Sequence, residues 1–218
     1  MTYTGDVRVG GPADVHELPR LIISKLAVGP YDNNSYLLRC RETGEQVLID
    51  AAAEPERLLA LVGESGLAAV ITTHQHGDHW QALGDVVAAT GATTFAGRLD
   101  AEGIPVVTDV LVDDGDDIAF GAITLTAVHL VGHTPGSIAL VYDDPEGQPQ
   151  VFTGDCLFPG GVGNTWEDPE RFRTLYEGVV TKIFDGLPDE TWVYPGHGKD
   201  TTLGAERPAL AEWAARGW

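Results

Sequence analysis

The stretch Ala69-Val70-Ile71-Thr72-Thr73-His74-Gln75-His76-Gly77-Asp78-His79 decides how the rest of the chain is read. Its first half is a β-branched, apolar run that favours an extended strand. Its second half puts three imidazoles and a carboxylate within six positions, and scattered structural histidines rarely cluster this way. Imidazole and carboxylate together suit a borderline divalent ion such as zinc. Three other segments repeat the grammar of an apolar run, a small or kinking residue and a candidate ligand. Ala127-Val128-His129-Leu130-Val131-Gly132 leads to His133, Gln150-Val151-Phe152-Thr153-Gly154 to Asp155, and Thr191-Trp192-Val193-Tyr194-Pro195-Gly196 to His197. If these runs are strands pointing the same way, their ends gather the candidate ligands on one edge, where layered folds place their sites.

Outward from these segments, β-like runs are expected at 21–28, 35–39, 46–50, 68–73, 106–112, 118–129, 138–142, 150–154 and 191–194. A helix opens at Pro55 and stops near Gly66, a second covers about 80–90, and a third begins at Asp168-Pro169. The third carries an apolar stripe at 172, 175, 176, 179, 180, 183 and 184. A last helix is expected at 205–215. Strands interleaved with helices predict an α/β or α+β layered domain, one domain over 1–218 with residues 1–20 as a loose arm. The acidic runs 113–117 and 143–147 read as solvated hairpin tips.

Composition narrows the function. Thirteen Lys and Arg against 33 Asp and Glu give a net charge of −20, which argues against nucleic acid or an anionic membrane as partner. No apolar run approaches the roughly 20 residues that span a bilayer, and the first twenty residues read as no export signal. The two cysteines, Cys40 and Cys156, form no disulfide framework, which fits a reducing cytoplasm. A small-molecule substrate is the expected partner, and nothing in the sequence fixes the oligomeric state.

His74-x-His76-x-Asp78-His79, Gly132-His133-Thr134-Pro135-Gly136-Ser137, Thr153-Gly154-Asp155 and Pro195-Gly196-His197-Gly198, taken in order, resemble the metallo-β-lactamase-fold hydrolases, and among them the glyoxalase II-like branch. The resemblance implies an αββα sandwich of two mixed sheets flanked by helices, with a dinuclear site at one edge. It implies His74, His76 and His133 for a first metal, Asp78, His79 and His197 for a second, and Asp155 between them. The metals implied are two divalent ions, Zn2+ in most of the family and Fe or Mn in some members, roughly 3.5–4 Å apart. The implied chemistry is attack of a metal-bridging hydroxide on a thioester or similar small acyl compound, with Asp78 orienting the hydroxide and taking its proton. Persulfide dioxygenases, which use one iron and oxygen, and lactonases share the motif and are the alternatives.

Several residues have competing readings. Asp78 stands three residues before Gln81 at the mouth of a predicted helix, so an N-cap competes with ligation. Trp80, Phe158, Asn164 and Trp166 are candidate substrate contacts, with Phe158 and Trp166 equally readable as core. His16 and His129 lie outside the motifs, and His129 reads as structural or as a support behind the ligands. Cys156 is expected to be a buried, inert thiol, Thr134 and Ser137 to organise the turn after His133, and Gly160-Gly161-Val162-Gly163 to be flexible backbone beside the metals. Glyoxalase II-like sequences carry a basic residue after this glycine loop, where Asn164-Thr165-Trp166 stands here. The 21 residues after His197 are also fewer than the glutathione-contacting helical domain of glyoxalase II needs.

Overall fold

The computed structural model describes residues 3–217. Seven strands form the first sheet in chain order: β1 (Asp14–Glu17), β2 (Leu21–Val28), β3 (Asn33–Cys40), β4 (Gln46–Ile49), β5 (Ala69–Thr72), β6 (Thr93–Gly97) and β7 (Val110–Val112). The first four pair antiparallel, and β4 through β7 run parallel. β8 (Asp117–Phe120), β9 (Ile123–His129), β10 (Ile138–Tyr142) and β11 (Gln150–Gly154) belong to the second sheet. β12 (Leu157–Phe158) and β13 (Gly161–Val162) make a short ribbon, and β14 (Trp192–Pro195) and β15 (Thr201–Thr202) complete the second sheet in the order β15-β14-β11-β10-β9-β8. Within it β11 and β14 are parallel and the other pairs antiparallel. β9, β11 and β14 therefore all run the same way.

The helices are α1 (Pro55–Val62), α2 (Leu83–Thr90), α3 (Pro169–Gly178), α4 (Leu203–Glu206) and α5 (Leu210–Arg216). Three apolar layers result. Leu21, Ile23, Leu38, Ile49 and Ile71 of the first sheet meet Leu125, Ile138, Leu140 and Phe152 of the second. The outer face of the first sheet, with Leu26, Leu37, Leu48 and Val70, packs on Leu58 and Val62 of α1 and Leu83 and Val86 of α2. Ala139, Val151 and Val193 of the second sheet pack on Phe172, Leu175, Val179, Ile183 and Trp213. Each aliphatic or aromatic side chain so buried contributes about 1.5–3 kcal/mol. The result is two mixed sheets back to back, with helices on both outer faces.

The differences from expectation have local causes. The segment before Leu21, expected as a loose arm, pairs through β1 with β2 and sends Tyr3 into the sheet interface. The 113–117 turn is not a hairpin tip, because β7 lies in one sheet and β8 in the other. The 143–147 turn does close a hairpin, β10–β11. The run 118–129 is two strands folded at Gly121, where φ is 53°. β6 was not expected. The last helix starts at Leu203 and tightens over Arg207–Ala209, where Pro208 has no N–H to give the ladder. After Gly178 the third helix widens into a π-helix over Val179–Phe184, its hydrogen bonds spanning five residues instead of four. The Gly160–Gly163 run is ordered in part, as β13 of the ribbon.

Candidate metal centre

The strand ends converge as their shared direction requires. β5 delivers Thr73 and His74, β9 runs into the turn before His133, β11 ends at Gly154 before Asp155, and β14 ends at Pro195 before His197. Backbone bonds lock the edge: Ile138 N–H donates to Thr73 O (3.0 Å), Gly196 N–H to Gly154 O (2.8 Å) and Asn34 N–H to Gly196 O (2.7 Å). Only glycine fits at 196, where a Cβ would lie 2.3 Å from Asp155 Oδ1 and 2.7 Å from His79 Cε1. At Gly132, φ is 142° and a Cβ would stand 2.5 Å from the Arg171 carbonyl.

Ligand atoms of His74, His76 and His133 lie within 4.8 Å of one another, as do those of Asp78, His79 and His197, and those of His74, His79 and Asp155. Asp155 sits between the first two trios. Its Oδ2 is 4.0 Å from His74 Nε2, 3.6 Å from His133 Nε2 and 3.5 Å from His197 Nε2, and its Oδ1 is 3.4 Å from His79 Nε2. The two trios close tightly. His76 Nδ1 is 2.9 Å from His133 Nε2, and His79 Nε2 is 3.2 Å from His197 Nε2. Asp78 Oδ2 accepts from Asn33 Nδ2 (3.0 Å) and lies 3.3 Å from His197 Nε2. All seven sequence-predicted residues are thus brought together. Asp78 caps no helix: it lies in the single turn Gly77–His79, and α2 begins only after Ala82, with no side-chain cap.

Outer partners fix which nitrogen faces the centre. His79 Nδ1 donates to Asp50 Oδ2 (2.8 Å), His133 Nδ1 to the Asn164 carbonyl (2.9 Å) and His197 Nδ1 to the Tyr31 carbonyl (2.8 Å). Each turns Nε2 inward, the arrangement that supports metal-bound histidines. His74 Nδ1 meets Thr73 Oγ1 at 3.1 Å. Its Nε2 is buried with no hydrogen-bond partner, and so is Asp155 Oδ1. A buried polar atom without a partner is costly, and a cation would satisfy both. The electrostatics point the same way. Burial opposes charge on His79, but Asp50 and Asp155 outweigh it and push the ring up to about 10. Burial likewise opposes charge on His197, yet the hydrogen bonds it donates to Asp155 and Asp78 raise it to about 10. On the other side, burial pulls His133 down to about 4, and His74 falls well below its ordinary value through burial and the neighbouring His79. Hydrogen bonding to His197 holds Asp78 far below the carboxylate range. The centre therefore favours positive charge beside its carboxylates and neutral imidazoles on the His74 side. This donor set fits a pair of divalent ions.

Two buried carboxylates were missed from sequence. Asp50, 1% exposed, accepts from Thr73 N–H (2.7 Å), Thr73 Oγ1 (2.8 Å) and His79 Nδ1, and takes the left-handed backbone, φ 56°. Asp100 accepts from Gln75 N–H (3.0 Å) and Gly136 N–H (2.7 Å) and bonds Thr134, tying the two histidine loops together. The only sequence signal of Asp50 is an acid just after an otherwise apolar strand; Asp100, three residues past β6, has none. Thr134 and Ser137 share a hydroxyl contact inside that turn, and His129 Nε2 bonds the Pro135 carbonyl in the same turn (2.8 Å). His16 lies away from the centre, on Tyr194 Oη (2.7 Å). Burial pushes the Cys156 thiol well up.

A cavity of about 640 Å³ opens beside His76 and His133. Trp166 lines it, with a ring 5.5 Å from each of these imidazoles and the Arg171 guanidinium carbon 4.4 Å from the indole centroid. Trp166 and Glu167 both adopt left-handed backbone, φ 55° and 59°, a state that costs a non-glycine residue about 1–3 kcal/mol. Arg171 braces the turn, donating from Nε to Gly132 O (2.8 Å) and from Nη2 to His133 O (2.6 Å). Asp168 caps the helix that carries it, accepting from Glu170 and Arg171 N–H. The other three candidate contacts do not line this cavity. Asn164 offers its carbonyl to His133 and its Oδ1 to Trp166 N–H (2.8 Å). Phe158 is partly buried, 6.5 Å ring to ring from His197. Trp80 packs on the core beneath the loop, with Nε1 on the Gln75 carbonyl (2.8 Å).

Fold and centre define a class, and comparison with known proteins agrees. The metallo-beta-lactamase superfamily pattern matches residues 28–197. The chain belongs to this superfamily. It is 36% identical to a hydroxyacylglutathione hydrolase of Polaromonas sp. over 81% of this chain and 66% of that one. It is also 36% identical to the human mitochondrial persulfide dioxygenase ETHE1, over 75% and 63% respectively. The chain thus spans about two thirds of the length of these curated relatives. TTHA1623, solved in a di-iron-bound form, superposes with a TM-score of 0.68 at 36% identity, covering 84% of this chain and 96% of that one. Among the described residues, no helix is long and apolar enough to cross a membrane.

Proposed function

We propose that the protein is a dinuclear metal-dependent hydrolase of thioesters or similar small acyl compounds. The observation that carries this reading is the convergence of seven donors into two trios sharing Asp155, with His74 Nε2 and Asp155 Oδ1 buried and otherwise unpartnered. His74, His76 and His133 would hold one ion, Asp78, His79 and His197 the other, and Asp155 both. Zn2+ is the first expectation for such a donor set, and the di-iron form of TTHA1623 makes iron the second. Bound there, two divalent ions supply Lewis acidity to an acyl carbonyl and bring the pKa of water toward neutrality.

The chain's own groups do the rest. Asp50 and the Asn164 and Tyr31 carbonyls keep three rings in the ligating tautomer. Asp78, a quarter exposed at its side chain and held by Asn33, would orient the attacking water and accept its proton. Water adds to the acyl carbon and gives one proton to Asp78, the C–S bond breaks with its electron pair going to sulfur, and a carboxylic acid and a thiolate leave, the Asp78 proton passing to solvent. A thiol has a pKa of about 8.5, so the thiolate departs without a proton donor. That suits a cavity whose one carboxylic side chain among the described lining residues, Glu170, is paired with Arg173 at 2.9 Å.

The 36% identity to a persulfide dioxygenase supports a second reading, oxygen-dependent oxidation at a single iron. Metal analysis of the purified protein, followed by thioester, lactone and persulfide assays with an oxygen electrode, separates the two. The hydrolase reading expects two ions per chain and thiol release without oxygen uptake. One iron per chain and oxygen uptake with a persulfide would overturn it.

A further inference from the structure

We propose that the cavity beside His76 and His133 is an aryl-accepting cleft and that Trp166 is its specificity-determining wall. The substrate class it selects is an acyl compound whose acyl side carries an aromatic ring. For its chemistry this rests on the hydrolase reading above; for its binding preference it does not.

Three observations lead here. First, Trp166 is 51% exposed although it sits against two buried or half-buried imidazoles. With Val131, also exposed on the same cavity, it makes an apolar patch of the kind that marks a binding groove. Second, its backbone and the next residue's are held left-handed, with the Trp166 backbone N–H donating to Asn164 Oδ1, while the Arg171 guanidinium rests on the ring. Strain of this kind persists only where the surroundings fix it, and it gathers at ligand clamps. The ring is therefore pre-oriented, and a ligand need not organise it on binding. Third, the cavity's size and lining suit a ring. Its 640 Å³ is more than a two- or three-carbon acyl group fills, and Val131, itself 38% exposed, and Pro135 continue the apolar wall. Of its polar lining outside the two histidines, Gln75 and Thr174 are neutral, Thr134 spends its hydroxyl on Asp100 and Ser137, Glu170 pairs with Arg173, and Arg171 spends Nε and Nη2 on the backbone carbonyls of Gly132 and His133. Stacking and apolar contact are left as the means of discrimination.

The test uses the metal-loaded protein and two thioethers of N-acetylcysteamine that cannot be hydrolysed, one acetonyl and one 3-phenylacetonyl. Equilibrium binding by calorimetry is expected to favour the phenyl compound by roughly three- to tenfold, the worth of one aromatic pair. Trp166→Ala should bring the ratio close to one, and Trp166→Phe should keep most of it. With acetyl and phenylacetyl thioesters of the same thiol, the change should fall on KM and leave the ratio of kcat values alone. A wild-type binding ratio near one, or a ratio that Trp166→Ala leaves intact, overturns the assignment. If Trp166→Ala fails to fold, Trp166→Leu makes the same measurement. Selective binding without cleavage of either thioester would sink the hydrolase reading and leave the cleft standing. Cleavage with a selectivity indifferent to Trp166 would do the reverse.

Discussion

Asp50→Asn is the sharpest perturbation of the centre that leaves every candidate ligand in place. Asparagine keeps the shape of the side chain and accepts the left-handed backbone at φ 56° better than most residues. Its amide oxygen can still take the Thr73 N–H, 2.7 Å away in the wild type. The NH2 group then replaces Oδ2, which accepts from both Thr73 Oγ1 and His79 Nδ1 at 2.8 Å. The threonine hydroxyl can rotate and accept. The imidazole can accept only by moving its proton to Nε2, the atom 3.4 Å from Asp155 Oδ1, and a protonated Nε2 has no lone pair for a cation. Losing the hydrogen bond to a charged group costs about 1.5–3 kcal/mol of stability. Losing an outer partner of a metal-bound histidine costs about 10- to 100-fold in affinity, or about 1.4–2.8 kcal/mol. The loss should fall on the ion proposed for Asp78, His79 and His197, because His79 bonds Asp50 directly, while His74 reaches it only through Thr73 Oγ1, which can still accept from His74 Nδ1, and neither His76 nor His133 bonds it. Chelator-competition titration of wild type and Asp50→Asn reads the two ions separately. Unchanged affinity for both, or loss of the His74-side ion first, would refute the reasoning.

Asp78→Ala should weaken the same ion and remove most turnover; full thioesterase activity in this variant, measured with metal in excess, would remove Asp78 from the chemistry. Lys25 is fully buried, with Nζ on Gly5 O (2.8 Å), Gly198 O (2.7 Å) and Asp200 Oδ1 (2.6 Å), so Lys25→Met strands Asp200 and should cost about 3–5 kcal/mol in urea unfolding. Adding Asp200→Asn should recover part of that loss, since Tyr3 Oη and Trp192 Nε1 still find an acceptor. The Arg57 hydrogen bond and the Gly29 N–H hold Glu54 below the carboxylate range. A lowered folded pKa stabilises above the unfolded value, about 4.3, and the gain is lost as pH falls through the folded one; Glu54→Gln should therefore flatten the acid side of the stability profile, and an unaltered slope would contradict the pairing.

Much of this layout is legible in the chain because strand ends and ligands are adjacent in sequence. Ala69–Thr72 and His74, Gln150–Gly154 and Asp155, and Trp192–Pro195 and His197 can each be read locally. What is illegible depends on contacts far apart. Asp50 looks like the polar end of a strand until Thr73 and His79, 23 and 29 positions on, are seen to meet it. Arg171 looks like the polar face of a helix until its guanidinium reaches Gly132 and His133. β6 is illegible because Thr-Thr-Phe-Ala-Gly is short and, as an interior parallel strand, shows no polar alternation. The Asp113–Asp117 turn reads as a hairpin tip although it joins two sheets, because alternation gives a strand's faces and not its sheet. Lys25 did carry a signal: a charge on the same face of β2 as Leu21 and Ile23 must be paired to be buried there.

Anomalous diffraction from crystals of the protein as purified, collected on either side of the zinc and iron absorption edges, tests the central claim most directly. Two peaks are expected about 3.5–4 Å apart, one among His74, His76 and His133, the other among Asp78, His79 and His197, with Asp155 between them. A single peak, or peaks remote from these seven side chains, would contradict it.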